Sequence, residues 1–274
     1  VTHRWIYLLL VLAIIVPLVH PLGLPVTPTT ESQDLFDLVE KLPQGSLIYL
    51  AMDFDAGSIP ELLPQAEAVF THAMRRDLKV VIHGLSDQGV LIARDSLHPI
   101  AWQFGKTYGI DFVNLGFKPG GGIVLRGMTA DLWKTMGGVD IDGKRLSDLP
   151  MMNGLRRLDR SSVALIVDFN SGGSAMAYRN YVTEPTGIPL ALGSCAVNFN
   201  VQLPFYRSGQ YKAILNGLRG AAEYEGMLGV AGKATSAMDA QSTSHALIVG
   251  LIVLGNLAYF LGGRQGGGPG RRPT

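Results

Sequence analysis

Twice in this chain an apolar run stops at an aspartate, adds Phe and a polar residue, and turns through small residues into a helix-forming stretch. The first copy is Ser46 to Ser58, SLIYLAMDFDAGS, and the second is Val163 to Ser174, VALIVDFNSGGS. A short apolar run without alternation reads as a strand buried on both faces, and the small residues after it make the tight turn that opens a helix. The repeated unit predicts an α/β domain with a mostly parallel, Rossmann-like sheet and helices on both faces. Parallel strands joined by right-handed crossovers end along one edge, and ligands of such sheets bind there.

The same pattern predicts strands at Leu47–Met52, Leu78–Ile82, Asp111–Leu115, Val163–Val167 and Ile188–Leu192. Asp34–Lys41 reads as a short amphipathic helix. After the first strand, Leu62, Leu63, Ala66, Phe70, Ala73 and Met74 form a helical stripe. Ser58 and Glu61 ahead of it have capping-box spacing, and Pro64 either kinks the first turns or marks the true start. His72 on that helix is expected to be exposed, and Arg156-Arg157 to be a solvated face. Leu91–Tyr108 is expected to be helical with a break at Pro99, and Ser174–Val182 to be the helix after the second copy. Gly116–Arg160 reads as an insertion or lobe connection, with a helix at Ala130–Met136 and a turn at Asp142-Gly143. Ser208–Glu225 has Ile214, Leu215, Leu218, Ala221 and Ala222 on one helical face. Gly217 and Gly220 cost such a helix about 1 kcal/mol each, which points to close contact with a neighbouring backbone, in the domain or on another subunit.

Two hydrophobic segments flank this domain. Trp5–Val19 is uncharged and, continued by Leu22–Val26, reaches about the 20 residues that a spanning helix needs. Arg4 before it would also suit a secretory signal, but His20–Pro25 offers no small-x-small cleavage site, so an uncleaved anchor is expected. His245–Leu261 is the second span. Its Asn256 requires a hydrogen-bond partner in or near the bilayer, and Ala246 and Gly250 form a small-xxx-small pair that permits close helix approach. Arg4 precedes the first span, and Arg264, Arg271 and Arg272 follow the second. The positive-inside rule therefore puts both termini in the cytoplasm and the central domain outside it. The expected division is an N-terminal anchor at 1–26, a linker and short helix at 27–43, and the extracytoplasmic domain at 44–232. A C-terminal transmembrane helix at 243–263 and a Gly-rich, disordered cytoplasmic tail at 264–274 complete it.

Composition narrows the function classes. With Arg4, Arg264, Arg271 and Arg272 set aside, the 23 basic residues of the chain fall to 19 against 22 acidic ones. A weakly acidic domain without a basic run is a poor nucleic-acid binder, since that affinity rests on neutralising phosphates. One cysteine, Cys195, excludes an intrachain disulfide, and in apolar company it reads as a core residue. No metal-ligand spacing is present and no cofactor is expected.

The residues placed at the shared strand edge are Asp53, Asp55, His83, Lys118, Asp168, Asn170, Ser171, Ser174, Ser194 and Cys195, with Gly172 and Gly173 in the second turn. Asp53-Phe54-Asp55 resembles the first motif of haloacid-dehalogenase-like phosphatases, DxDx[TV], in which the first aspartate attacks phosphorus and both help hold magnesium. Gly57 stands where that motif has Thr or Val. ALIVDFNSGGSA resembles the strand and Gly-Gly turn of signal-peptide-peptidase-A and Clp-type serine proteases. That resemblance implies oxyanion donors in the turn and a Ser nucleophile after the next strand, where this chain has Ser194; Asn170 and Ser171 replace the family's Ser-Pro. A serine nucleophile needs a base within about 3 Å, and His83 is the first choice, before Lys118 or Lys212. The glycine-rich turns at Gly120–Gly122 and Gly172-Gly173 match neither a Walker loop nor a dinucleotide fingerprint.

No catalytic set is complete on these residues, whereas Gly217/Gly220 and Ala246/Gly250 suit close packing. The sequence thus favours a membrane-anchored, non-catalytic scaffold, accessory or ligand-sensing subunit of an oligomeric membrane assembly. Its partners would be the lipid bilayer and further copies or other membrane proteins, with no nucleic acid. The alternative is a membrane-anchored hydrolase using Ser194, Ser174, His83 or Asp53.

Overall fold

The computed structural model describes residues 3–262. They fall into two compact units, Pro25–Thr235 on the one hand and residues 3–24 with 236–262 on the other. The tail expected at 264–274 lies outside the described residues. In chain order come α1 (His3–Val19), α2 (Thr30–Glu40), β1 (Leu47–Asp53), α3 (Ile59–Arg75) and β2 (Lys79–Gly84). Then follow α4 (Asp87–Gln103), β3 (Phe112–Phe117), α5 (Gly122–Met136), β4 (Leu165–Asn170) and α6 (Ser174–Tyr178), which runs through a π-helical turn into α7 (Glu184–Thr186). The remaining elements are β5 (Leu190–Ser194), α8 (Ala196–Arg207), β6 (Ile214–Asn216), α9 (Gly217–Met227) and α10 (Lys233–Gly262).

Six strands form one parallel sheet in the order β3-β2-β1-β4-β5-β6. The chain begins at the centre, winds out to β3, returns to β4 beside β1 and winds out the other way to β6. This is the doubly wound, Rossmann-like α/β arrangement, with its switch point between β1 and β4. Side chains alternate across each strand, so the apolar runs feed two core layers. Ile48, Leu50 and Met52 of β1 join Val69 and Phe70 of α3, Leu97 of α4 and Tyr224 of α9. Tyr49 and Ala51 join Leu125 and Met128 of α5 and Tyr178 of α6 on the other face. Helices therefore cover both faces.

The expected insertion over Gly116–Arg160 is a built part of the second layer. α5 carries one non-helical residue, Asp131, and Leu146, Leu149, Met152, Leu155 and Leu158 from the following turns are all buried in that core. The turn at Asp142-Gly143 is held by Asp140, whose Oδ1 accepts from the N–H groups of Asp142 and Lys144 at 2.9 and 2.8 Å. Arg156, on the expected solvated face, lies 3.5 Å over the Trp133 ring.

Other local expectations change. α4 continues through Pro99 without a break. Ser58 makes no capping bond; Asp55 caps the preceding turn instead, and Glu61 accepts from Ala196 N at 2.8 Å. His72 is buried, with Nδ1 at 2.8 Å from Tyr224 Oη and Nε2 at 2.8 Å from Glu40 Oε2. The helix expected over Ser208–Glu225 divides: β6 pairs with β5, and α9 starts at Gly217. The open edge of β5 satisfies backbone groups of Ile214–Asn216 that a helix would otherwise have satisfied, and Gly217, at φ +51°, turns the chain out of the strand. A Cβ on Gly217 would lie 2.6 Å from Glu61 Oε2, and one on Gly220 3.0 Å from the Leu215 main chain. Both glycines serve contacts within the domain.

In the other unit, one described helix, Lys233–Leu261, is long and apolar enough to cross a membrane, while the apolar part of α1, Arg4–Val19, is shorter. The expected extension through Leu22–Val26 is not helical; Pro21 and Pro25 interrupt it. Asp239 of α10 is buried and accepts from Gly23 N at 2.9 Å and Leu24 N at 3.1 Å, and Thr243 Oγ1 donates to Ala13 O at 2.6 Å. Ala246 and Asn256 are exposed on α10, and a Cβ on Gly250 would meet nothing within 4 Å.

Candidate functional site

The sheet register assembles most of the candidate residues. At one level, His83 of β2, Ala51 of β1 and Asp168 of β4 are paired side by side. Two residues on, Asp53 pairs with Asn170 and Asn170 with Ser194 of β5. The period of two puts Asp53, His83, Asp168, Asn170 and Ser194 on the same face as Tyr49, where α6 lies over them. A polar row thus crosses the switch point where the apolar second layer reaches the strand ends.

Its centre is a pair of buried carboxyl groups. Asp53 is 8% exposed and Asp168 fully buried. Asp53 Oδ1 accepts from Leu85 N at 2.5 Å, and Asp168 Oδ2 accepts from Ser174 Oγ at 2.9 Å. The two oxygens left over, Asp53 Oδ2 and Asp168 Oδ1, have no hydrogen-bond partner among the described residues. Two neighbouring carboxyl groups out of water cannot both be charged, so a proton stays between them. Burial pushes Asp53 up to about 6, against the donated bond from Leu85 N. Asp168 is pushed up further, by burial first and then by the Asp53 charge. Ser174 thus donates to Asp168 and the Leu85 amide to Asp53, one bond to each carboxyl group.

Aromatic hydroxyls line the row. Tyr178 Oη is 3.4 Å from His83 Nδ1, and the Tyr49 ring lies edge-on to Tyr178 at 6.1 Å. Burial alone pushes His83 down to about 3, so its ring is neutral at ordinary pH and a feeble proton acceptor. Its Nε2 has no hydrogen-bond partner among the described residues, and the hydroxyl of Ser174 goes to Asp168 instead. His83 is therefore not placed as a serine's base.

The other expected site residues are placed apart or tied down. Ser194 is fully buried, and its Oγ donates to Cys195 O at 3.1 Å. Cys195 is buried, and burial pushes its thiol up. Asp55 is exposed and caps the turn at Ser58 through bonds of 3.2 and 3.1 Å. Lys118 extends toward Gly137 at the end of α5. Gly172 and Gly173 are exposed in the turn before α6. Asn170 is buried, donates to Asp168 O and Gly193 O, and accepts from Gln202 Nε2 at 2.9 Å. A larger hollow of about 570 Å³ lies at the opposite edge, beside Ser46, Lys79 and Arg160, away from this row.

Sequence reasoning missed Tyr49, Tyr178 and Gln202. Tyr49 could have been found, because it precedes Asp53 by four residues and so shares its face. Tyr178 and Gln202 carry no such signal, since their places depend on how α6 and α8 cross the sheet. Comparison with family models, with curated proteins and with solved structures finds no match for this chain.

Proposed function

We propose that the protein is a membrane-anchored α/β module that serves outside the cytoplasm as a non-catalytic scaffold, accessory or ligand-sensing subunit of an oligomeric membrane assembly. The observation that carries the reading is the commitment of the strand-edge groups to their own fold. The Ser194 hydroxyl is spent on the Cys195 carbonyl and Ser174 on Asp168, while the two carboxyl groups are buried beneath α6. A nucleophile must instead be presented to a substrate beside a base.

The membrane part of the proposal rests on the apolar length of α10, with α1 as the second anchor in contact with it through Thr243 and Ala13. Arg4, Arg264, Arg271 and Arg272 on the outer flanks support cytoplasmic termini. Lateral assembly is supported by the open flank at Ala246, Gly250 and Asn256.

The test is labelling of the intact chain with a fluorophosphonate, alongside a magnesium-dependent phosphatase assay. No labelling and no turnover are expected. Labelling lost in Ser174→Ala or Ser194→Ala, or phosphatase activity lost in Asp53→Asn, would establish the hydrolase alternative. In mild detergent the chain is expected above its monomer mass of 29.4 kDa; a monodisperse monomer would sink the assembly role.

A further inference from the structure

At the edge opposite the acid pair, where the strands begin, lies the hollow of about 570 Å³ beside Lys79 and Arg160. Its floor follows from the sheet register. Lys79 of β2 pairs with Leu47 of β1, and Ala164, just before β4, donates its N–H to Leu47 O at 2.8 Å. Lys79 shares its face of β2 with Val81, Leu47 shares its face of β1 with Tyr49, and Ala164 continues the face of Ile166. All three therefore lie on the side of the second core layer, where Met151 and Leu155 wall the hollow.

Two cations border this floor with no acid to meet them. Lys79 is half-buried, and its ammonium makes no hydrogen bond or ion pair among the described residues. Arg160 donates from one arm of its fork to Ala164 O at 2.7 Å and pairs with no carboxylate among them. The acids nearest to these two in the chain are taken by other partners. Asp77 holds Lys106, and Asp159 holds Arg157 at 2.6 Å and accepts from Ser161 and Ser162. Among the described residues no Asp, Glu or His lines the hollow.

Neighbouring strands are about 4.8 Å apart, so Lys79 and Ala164 stand about 10 Å from one another across Leu47. The lysine arm and the tethered guanidinium thus flank a space of the size of one oxyanion. The bond to Ala164 O steadies the arginine fork and leaves its other N–H groups free, and charge-assisted bonds from such donors are the strong ones. The hollow is also far larger than an inorganic ion and falls in the range of small-molecule sites, roughly 300–1,000 Å³.

We propose that this hollow binds a phosphate monoester with a compact apolar body, the phosphate between Lys79 and Arg160 and the body against Leu47, Met151 and Leu155. A phosphate monoester carries nearly two negative charges at pH 7 and so matches two unpaired cations, whereas a carboxylate carries one. The inference rests on the ligand-sensing reading, and gives it a ligand class and a place.

The test uses the intact chain in mild detergent, with its methionine methyl groups labelled by carbon-13 and Met151 assigned as the reporter. Titration with phenyl phosphate is expected to shift the Met151 signal to saturation, and uncharged benzyl alcohol to bind at least about tenfold more weakly. Lys79→Met, which keeps the apolar stem, and Arg160→Gln should each weaken phenyl phosphate by about tenfold or more without lowering the melting temperature. Lys134→Gln, an exposed change of equal charge outside the hollow, should leave it unaltered. Dihexanoyl phosphatidic acid distinguishes the source: binding tighter than phenyl phosphate assigns a lipid headgroup, and weaker binding a soluble ester. A Met151 signal unmoved by both phosphates overturns the proposal. Equal binding of benzyl alcohol overturns it too, as does a loss in Lys134→Gln as large as in Lys79→Met. Such a failure would leave the non-catalytic reading standing, since fluorophosphonate labelling decides that separately at the other edge of the sheet.

Discussion

Asp168→Asn is expected to stabilise the folded chain, by an amount that grows with pH. The substitution keeps the geometry: the amide nitrogen of the new side chain can donate to Asp53 as the protonated acid does, and its oxygen can still accept from Ser174. What it removes is a proton that the fold must retain. Asp168 is raised in the native state by burial and by Asp53, whereas in the unfolded chain it titrates near 3.8. An acid raised by folding contributes most below its unfolded value, and the contribution is lost as pH rises above it. Each pH unit above 3.8 over which Asp168 stays protonated therefore costs about 1.4 kcal/mol. The variant should thus gain on the parent progressively as pH rises above 3.8, read as a growing difference in melting temperature. The parent's own curve is not diagnostic, because other buried groups titrate too. Asp53, raised to about 6, loses its contribution between 3.8 and 6. His83, lowered from 6.5 to about 3, acts in the opposite sense and loses stability as pH falls through that range. The difference between variant and parent cancels the His83 contribution to first order, whereas Asp53 is coupled to Asp168 and its share stays in the difference. Thermal unfolding followed by near-UV circular dichroism from pH 5 to 8 supplies it. Parallel curves, with the variant shifted equally at all pH values, would refute the shared proton.

Glu225 of α9 is 5% exposed and accepts from Gly232 N at 3.1 Å, Ala234 N at 3.0 Å, and Thr235 N and Oγ1 at 2.7 Å, all at the start of α10. Glu225→Ala should cost about 1–3 kcal/mol and expose the 228–235 segment to limited proteolysis; unchanged cleavage would refute the capping role. Gly217→Ala should cost at least about 1–2 kcal/mol, because φ is +51° and Glu61 and Ala196 leave no room, while Gly173→Ala should stay within about 0.5 kcal/mol. Urea midpoints of the two, measured side by side, check the contrast. His72→Phe should cost about 1–3 kcal/mol by leaving the buried Tyr224 hydroxyl without its histidine partner, and equal stability with Tyr224→Phe in place would show that this bond is the cause.

What could be read from the sequence follows from where the signal is local. A strand buried on both faces must be apolar throughout, so β1, β2, β4 and β5 stand out, and the placing of Asp53, His83, Asp168 and Ser194 at or near their C-terminal ends follows from counting along them. β6 was illegible because three residues are too few to show a period, and Ile214, Leu215, Leu218 and Ala222 fit a helix equally well. Only the free edge of β5 decides between the two, and that edge exists only once the sheet has formed. The burial of His72 was hidden for a similar reason: its partners, Glu40 and Tyr224, come from α2 and α9, far away in the chain. The chemistry of the edge was left open on the same ground. Residue type marks Ser194 and His83 as possible nucleophile and base, but their roles turn on direction and desolvation. Asp53 and Asp168 are placed at one strand edge by the sequence, but nothing in either copy of the repeat reveals that β1 and β4 are neighbours. Once the switch point sets them side by side under α6, Coulomb repulsion in a dry site forces one to hold a proton, and Ser174 and Leu85 fix which oxygens remain to share it.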